Sequence, residues 1–182
     1  MRNSDRGAKK TDSAKIIALV GIMAATLECG KLALSFLPNI EVVTILLALY
    51  GYTFGIYGVM AAFVFVCIEP LIYGFGTWVL SYFLYWPLVA LVFMLFAKLR
   101  IKNRIIFTLT AIVLTAWFGV LTSLVDIGLF SGFFDSFWER FCIYYLRGSP
   151  FYIAQLACNT VLFLTLFKFL LARLERVKNT FL

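Results

Sequence analysis

Long apolar runs alternate with short polar or Gly/Pro segments along most of the chain. About 20 helical residues are needed to cross the hydrocarbon core of a bilayer, which is about 30 Å thick. Six runs approach that length: Ala14–Phe36, Ile40–Phe54, Ile56–Tyr73, Trp78–Ala97, Ile105–Leu129 and Pro150–Leu171. The pattern predicts an all-α integral membrane protein with six transmembrane helices.

The second and third runs meet at the segment Gly-Tyr-Thr-Phe-Gly, from Gly51 to Gly55. Read as one helix, the two runs would exceed about 30 residues, which is too long for a single crossing. Glycine is the residue that most often marks a turn. We therefore expect two helices joined by a tight glycine turn.

The basic residues predict the orientation, because Lys and Arg concentrate in short cytoplasmic loops. All but three of the 16 basic residues fall in three clusters, which lie up to the start of the first run, between the fourth and the fifth, and from the end of the sixth run onward. Six crossings bring all three clusters to one side of the membrane, whereas five or seven would not. The expected organisation is a basic cytoplasmic tail over residues 1–13, a membrane domain over 14–173 with both ends in the cytoplasm, and a second basic cytoplasmic tail over 174–182.

The longest segment on the predicted outer side, Phe130 to Ser149, is rich in aromatic residues. Its apolar residues recur every three to four positions, and Asp135, Glu139 and Arg140 lie among them. This spacing is typical of an amphipathic helix that lies at the membrane interface or covers the bundle. An aromatic belt that only anchors the protein at headgroup depth explains the pattern equally well.

Composition narrows the functional classes. The chain is 63% hydrophobic, against about 45–50% in soluble domains, so a water-soluble fold could not bury its apolar surface. The net charge of +7 reports orientation rather than nucleic-acid binding, because the charges are clustered beside membrane helices. Histidine is absent and the four cysteines are isolated, which argues against a zinc or haem site. The polar N-terminal stretch is not followed by a small-residue cleavage site, so we expect no removed signal peptide.

Four ionisable residues interrupt the apolar runs: Glu28, Lys31, Glu41 and Glu69. Such groups are costly in lipid and normally face a bundle interior or a cavity. Glu28 and Lys31 are three residues apart on one helix and could simply pair with each other. Glu41 could stabilise a helix N-terminus, where the dipole is positive. Glu69 is harder to explain structurally, because it precedes Pro70 and an aromatic run.

On this topology a group of polar and aromatic residues falls in the outer half of the bundle. Aromatic walls with a few polar groups are typical of pockets for small organic molecules. The sequence therefore predicts a ligand site that opens to the outside. Its candidate residues are Glu28, Lys31, Asn39, Glu41, Glu69, Tyr73, Trp78, Tyr82, Trp138, Arg147, Tyr152, Gln155 and Asn159.

Small residues form a seam along the first predicted helix. Ala14, Ala18, Gly21 and Ala25 succeed one another at spacings of four, three and four residues, which places them on one face. Small side chains let another helix approach closely, and such packing drives helix association in lipid. The seam is either a packing face within the bundle or a docking face for a separate membrane subunit.

These features together resemble the S components, the substrate-binding subunits of energy-coupling factor (ECF) transporters. Members of that family have six helices, about 180 residues, a basic N-terminus and an Ala-x-x-x-Ala motif in the first helix, which Ala14 and Ala18 match here. The turn Leu37-Pro38-Asn39-Ile40-Glu41 is similar to the one that follows their first helix. The stretch from Arg147 to Tyr152, with Gln155 and Asn159, is similar to the start of their last helix, although Gln155 stands where the family often has His.

The resemblance implies that the chain is not an enzyme. It implies capture of a vitamin or related micronutrient outside a prokaryotic cell, from the plasma membrane, followed by docking on a transmembrane T component driven by two cytosolic ATPases. Ala14 and Ala18 would then face the T component. The chain has no Gly-x-x-x-x-Gly-Lys-Ser/Thr loop, so only the partners would use ATP, and the chain itself would need no cofactor.

Three other classes stay open. An autonomous secondary transporter would show internal repeats or helices broken at the midplane. An intramembrane enzyme would need paired acids or His at helical spacing. A structural or assembly subunit needs neither internal repeats or broken helices nor paired acids or His. The ligand also stays open among pantothenate-like, pyridoxine-like, thiamine-precursor, cobalamin-related and nucleoside compounds.

Overall fold

The computed structural model describes residues 2–181, and side chains over 13–179. This part of the chain is 84% helical and contains no strand, which confirms the all-helical prediction. Its helices are α1 (Arg2–Ala33), α2 (Val43–Phe54), α3 (Ile56–Tyr73), α4 (Trp78–Lys98), α5 (Arg104–Leu124), α6 (Phe137–Thr165) and α7 (Phe167–Phe181), and a π-helical turn, Val125–Phe130, extends α5.

Several of these helices are compatible with a membrane protein. Within the described residues, four are long and apolar enough to cross a bilayer, and α6 with α7 makes a fifth if that bent pair counts as one crossing. Large apolar side chains cover the outside of the bundle: Ile17 is 72% exposed, Val113 66% and Ile153 65%. Contiguous apolar surface of this kind is unusual for a soluble monomer.

The structure does not confirm the predicted number of six crossings, because α2 is short. The predicted run began at Ile40, but the helix begins at Val43 and has only 12 residues. At 1.5 Å per residue it spans roughly 18 Å, less than the hydrocarbon core. Residues 40–42 belong instead to the turn after α1, where Asn39 adopts a left-handed conformation with φ 57°.

The expected glycine turn between the second and third helices is present. Gly55 separates α2 from α3 with φ 61°, a conformation that costs glycine little. Gly51 serves a different purpose, because a Cβ atom there would lie 2.0 Å from the carbonyl oxygen of Ala90. The close approach of α2 to α4 therefore depends on glycine at this position.

The segment between the fifth and sixth runs differs from the prediction. Its second half is helical, but it is continuous with the last predicted run, because α6 begins at Phe137 and passes through Pro150. Proline cannot donate to the carbonyl four residues earlier. The hydroxyl of Ser149 donates to that carbonyl, on Leu146, at 2.8 Å, so the carbonyl keeps a hydrogen-bond donor.

The last predicted run, which extended to Leu171, is interrupted. Leu166 separates α6 from α7, and the two helices are bent by 60°. Phe167 is fully buried, and Leu170, Leu171 and Leu174 pack against the core. The bend lets α7 bury its apolar face against the bundle while its basic face stays exposed.

One end of the bundle, here called the basic end, gathers two of the three basic clusters. The hydroxyl of Tyr52, near the end of α2, donates to the carbonyl of Ile101 at 2.8 Å. Lys178 of α7 donates to the carbonyl of Thr53 at 2.8 Å. These bonds place the α4–α5 connection and α7 beside the end of α2. The side chains of the first cluster from Arg2 to Lys10 lie outside the described residues.

Candidate functional site

A cavity of about 270 Å³ lies at the opposite end of the bundle from the basic end. It is bounded by the end of α1, the α1–α2 turn, the end of α3, and one side each of α4, α5 and α6. Its lining residues are Lys31, Leu34, Ser35, Leu37, Pro38, Asn39, Ile40, Glu41, Val43, Tyr73, Tyr82, Trp86, Phe118 and Gln155. The structure thus brings together six of the residues proposed from sequence: Lys31, Asn39, Glu41, Tyr73, Tyr82 and Gln155.

Lys31 pairs with Glu69 of α3, and not with Glu28 three residues earlier on its own helix. The Lys31 ammonium group also lies 4.2 Å from the centre of the Tyr73 ring and 5.2 Å from that of Tyr82. Such cation–π contacts add to the attraction between an ammonium group and a carboxylate. The Lys31 side chain is 27% exposed, whereas Glu69 is fully buried, so only the lysine reaches the cavity.

Glu28 lies behind the cavity and faces Glu69. It is buried, and neither of its carboxyl oxygens has a hydrogen-bond donor within the described residues; the same holds for Oε1 of Glu69. Two ionised carboxylates cannot hydrogen-bond each other, because both only accept. The two acids and Lys31 therefore form a buried cluster with more carboxyl groups than cations.

Glu41 is held by the helix that follows it. Its Oε2 accepts the backbone N–H of Thr44 at 2.8 Å, and its Oε1 accepts the Thr44 hydroxyl at 2.5 Å. The carboxylate thus satisfies a free donor at the start of α2, as the sequence analysis anticipated among its alternatives.

Asn159 of α6 is bound to the same carboxylate. Its Nδ2 donates to Oε1 of Glu41 at 2.9 Å and to the hydroxyl of Thr115 at 3.0 Å. Asn159 is fully buried and does not line the cavity. Its role in the structure is to hold Glu41, and with it the α1–α2 turn, against α5 and α6.

Aromatic rings form one wall of the cavity. Ring centres are 5.5 Å apart for Tyr82 and Trp86, 5.9 Å for Trp86 and Phe118, and 6.1 Å for Tyr82 and Phe118. Trp78 lies one turn before Tyr82 and contacts its ring at 4.9 Å, outside the cavity lining. Tyr85 also contacts this cluster, but from the buried side of α4.

Arg147 and Tyr152 line a second, more open cavity of about 480 Å³, together with Asn39, Tyr144, Gly148 and Phe151. Because Asn39 lines both cavities, the second one adjoins the first on the α6 side. Tyr144 donates to Asp126 of the π-helical turn at 2.5 Å, which ties α6 to the end of α5.

Trp138 lies apart from both cavities. It is 69% exposed, and among the described residues its ring contacts the rings of Phe137 and Phe141 on its own helix. An exposed tryptophan at this position fits the alternative of an aromatic belt better than a ligand contact.

Sequence reasoning left Trp86 and Phe118 out of the proposed site. Trp86 follows Tyr82 by four residues on α4 and therefore shares its face, so helical spacing could have identified it. Phe118 stands within an apolar stretch of α5 with no distinguishing neighbour. Only the packing of α5 against α4 brings it to the cavity.

The small-residue seam on α1 is exposed. Ala14, Ala18, Gly21 and Ala25 all face away from the bundle, and a Cβ atom added at Gly21 would have no other atom within 4 Å. The opposite face of the helix is buried: Val20, Met23, Ala24 and Leu27 belong to the core. Within the described residues, the seam therefore has no packing partner.

The described residues contain no group of three or more His, Cys, Asp or Glu side chains that could hold a metal ion. The polar groups of the residues that line the first cavity are carboxyl, amide, hydroxyl and ammonium groups, which suit an organic ligand. No protein-family model, curated protein or solved structure matches the chain.

Proposed function

We propose that the chain is the S component of an ECF transporter. It would cross the plasma membrane of a prokaryote six times, with α2 as a short crossing, α6 with α7 as a bent last one, and both termini in the cytoplasm. It would bind a vitamin or related micronutrient in the cavity and deliver it through a T component driven by two ATPases. It would be neither an enzyme nor a nucleic-acid-binding protein, and only the ATPases would use ATP.

The observation that carries the proposal is that α1 contributes to both required surfaces. Its last turn supplies Lys31 to the cavity, while its middle presents the exposed seam from Ala14 to Ala25. Movement of α1 against a partner helix would therefore be felt directly at the cavity. A helix with this seam can approach another to the short distance that small residues permit.

The seam is best explained by a partner of some kind. Lipid-facing positions in a membrane helix are normally filled by large apolar side chains, as they are at Ile17 and Ile22 of the same helix. Four small residues in register leave a shallow groove with little area for lipid contact. A close helix partner would fill that groove by van der Waals packing.

The polarity of the bundle supports the proposed orientation. The cavity and the two described basic clusters lie at opposite ends. Since Lys and Arg accumulate on the cytoplasmic side, the cavity would open to the outside, where a substrate is captured.

The test is coexpression of the tagged chain with an ECF T component and its two ATPases, followed by purification in nanodiscs. We expect a stable four-subunit complex. Ala14→Trp combined with Ala18→Trp should prevent its assembly, because two indole rings block close helix approach. Val113→Trp is the matched control, since it adds the same bulk to an exposed position of α5.

The opposite results would count against the proposal. Failure of the wild-type chain to assemble with any T component would remove the S-component assignment. Loss of folding in the variant that carries both Ala14→Trp and Ala18→Trp would show that the seam packs within the chain. Uptake by proteoliposomes that contain the chain alone would favour an autonomous transporter.

An autonomous transporter has less support. The broken helices of such transporters lie near the midplane and line the substrate site. Here the break at Leu166 lies at the basic end, where Arg104 donates to the carbonyl of the nearby Leu164 at 3.1 Å, far from the cavity.

A further inference from the structure

The cavity has two chemically different walls. The rings of Tyr82, Trp86 and Phe118 contact one another at tilted or edge-on angles and form the aromatic wall. Glu41 and Gln155 supply the polar wall. A flat ring system can stack on an aromatic ring while its edge meets the polar groups, which is how proteins bind nitrogen heterocycles of many kinds.

The polar wall favours N–H donors. An ionised carboxylate has about four acceptor positions, and three donor contacts reach Glu41: two from Thr44 and one from Asn159. One acceptor position is therefore left for a ligand. Because the three donors orient the carboxylate, this position is fixed before a ligand arrives.

A further polar group on the cavity lining has no partner within the described residues. The amide of Gln155 makes no hydrogen bond there, and the residue as a whole is only 4% exposed. Polar groups in such a setting are normally hydrogen-bonded, and an unsatisfied one calls for an explanation. A ligand with both donors and acceptors on its edge would satisfy it.

The charge of the lining also favours a ligand with N–H donors. The ammonium group of Lys31 is already paired with Glu69, so it does not neutralise Glu41. Glu41 is then the charged group of the lining that lacks an ion-pair partner in the described residues. A carbonyl oxygen placed against its carboxylate would be repelled, whereas an amino group would form a charge-assisted hydrogen bond.

Size limits the ligand further. A cavity of about 150 Å³ accommodates one benzene ring, and this cavity measures about 270 Å³. It therefore has room for two fused rings, or for one ring with short substituents.

We infer that the cavity binds a planar, amino-substituted nitrogen heterocycle of this size, which stacks on the aromatic wall and donates an N–H group to Glu41. The inference rests on the proposed function, because it names the substrate class of the same site. It makes the α1–α2 turn, through Glu41, the element that selects amino over carbonyl groups.

The test uses two matched pairs of probes. Diaminopyrimidine and uracil have one ring and differ in carrying amino or carbonyl groups, and adenine and hypoxanthine differ in the same way with two rings. Affinities are measured by isothermal titration calorimetry on the full chain in nanodiscs. We expect at least one amino compound to bind at least tenfold more tightly than its carbonyl counterpart.

Variants identify the residues responsible. Glu41→Gln should weaken binding of the preferred amino compound at least tenfold, and Glu175→Gln, an exposed position on α7, should leave it unchanged. Since Glu41 also caps α2, Gln155→Leu serves as a second variant that keeps that cap and should weaken binding several-fold. Far-UV circular dichroism melting shows that each variant is folded.

Three results would overturn the inference: equal or tighter binding of the carbonyl compounds, unchanged affinity in both cavity variants, or no binding of any probe. None of these would affect assembly with the T component and ATPases. Failure of the ligand class is therefore distinguishable from failure of the proposed function.

Discussion

The Lys31–Glu69 pair should contribute asymmetrically to stability, and this asymmetry can be measured. Removing one member of a buried ion pair typically costs about 3–5 kcal/mol, because the other charge is left uncompensated. The two members of this pair are not equally buried. The Lys31 side chain is 27% exposed, and Glu69 is completely buried beside a second acid, Glu28.

Lys31→Met leaves Glu69 buried without its cation and facing Glu28. We expect it to lower the free energy of unfolding by about 3–5 kcal/mol, the full range for an uncompensated buried charge. Glu69→Gln leaves the ammonium group with a neighbouring acid, Glu28, and with two cation–π contacts worth about 0.5–1 kcal/mol each. Lys31 also reaches the cavity, where water can solvate its ammonium group. This solvation avoids part of the usual cost of breaking a buried pair, so we expect the free energy of unfolding to fall by only about 1–2 kcal/mol.

The assay is unfolding in mixed micelles, titrated with sodium dodecyl sulfate and followed by far-UV circular dichroism. The double variant, Lys31→Met with Glu69→Gln, should be more stable than Lys31→Met alone, because a neutral amide is cheaper to bury than an unpaired carboxylate. A greater loss in Glu69→Gln than in Lys31→Met would refute this reasoning. So would additive losses in the double variant.

Three further changes test the packing and the two ends of the bundle by the same unfolding titration. Gly51→Ala should cost about 3 kcal/mol or more, since overpacking of this kind is destabilising and the new Cβ would meet the carbonyl of Ala90. Gly21→Ala is the control and should be neutral, because the space around Gly21 is open. Equal effects of the two substitutions would disprove the close approach of α2 to α4. Asn159→Leu should cost about 1–3 kcal/mol, because buried partners lose their donor; an unchanged midpoint would mean that Asn159 does not hold Glu41. Lys178→Met should cost less than about 1 kcal/mol, as exposed charged contacts do, but should speed tryptic cleavage within α7; an unchanged cleavage rate would show that α7 does not depend on this contact.

Much of the helical architecture could be predicted from sequence, because apolar runs are a strong local signal. The glycine turn at Gly55 and the separation of α2 from α3 were predicted from the chain alone. Helix boundaries were less predictable. The break at Leu166 follows no proline or glycine, and it depends on where the apolar face of α7 finds the bundle. The continuity of α6 through Pro150 is accompanied by one side-chain bond, from the Ser149 hydroxyl to the carbonyl that the proline leaves without its N–H donor.

Part of the candidate site was also predicted from the sequence. Lys31, Glu41 and Glu69 were recognised because ionisable groups are costly in lipid. The partner of Lys31 was not, since Lys31 could have paired with Glu28 on its own helix. Trp138 was included on aromatic character alone, and the structure leaves it outside the cavities.

The amino-acid sequence by itself therefore determined the helical class, the approximate positions of the apolar helices and the grouping of charge, because each depends on residues close together in the chain. Tertiary structure decided which acid receives Lys31, which rings line the cavity and which face of α1 stays exposed. These outcomes depend on contacts between residues distant in sequence, such as Lys31 with Glu69 and Trp86 with Phe118. Helical periodicity specifies which residues share a face, but only the packing of the helices specifies what that face meets.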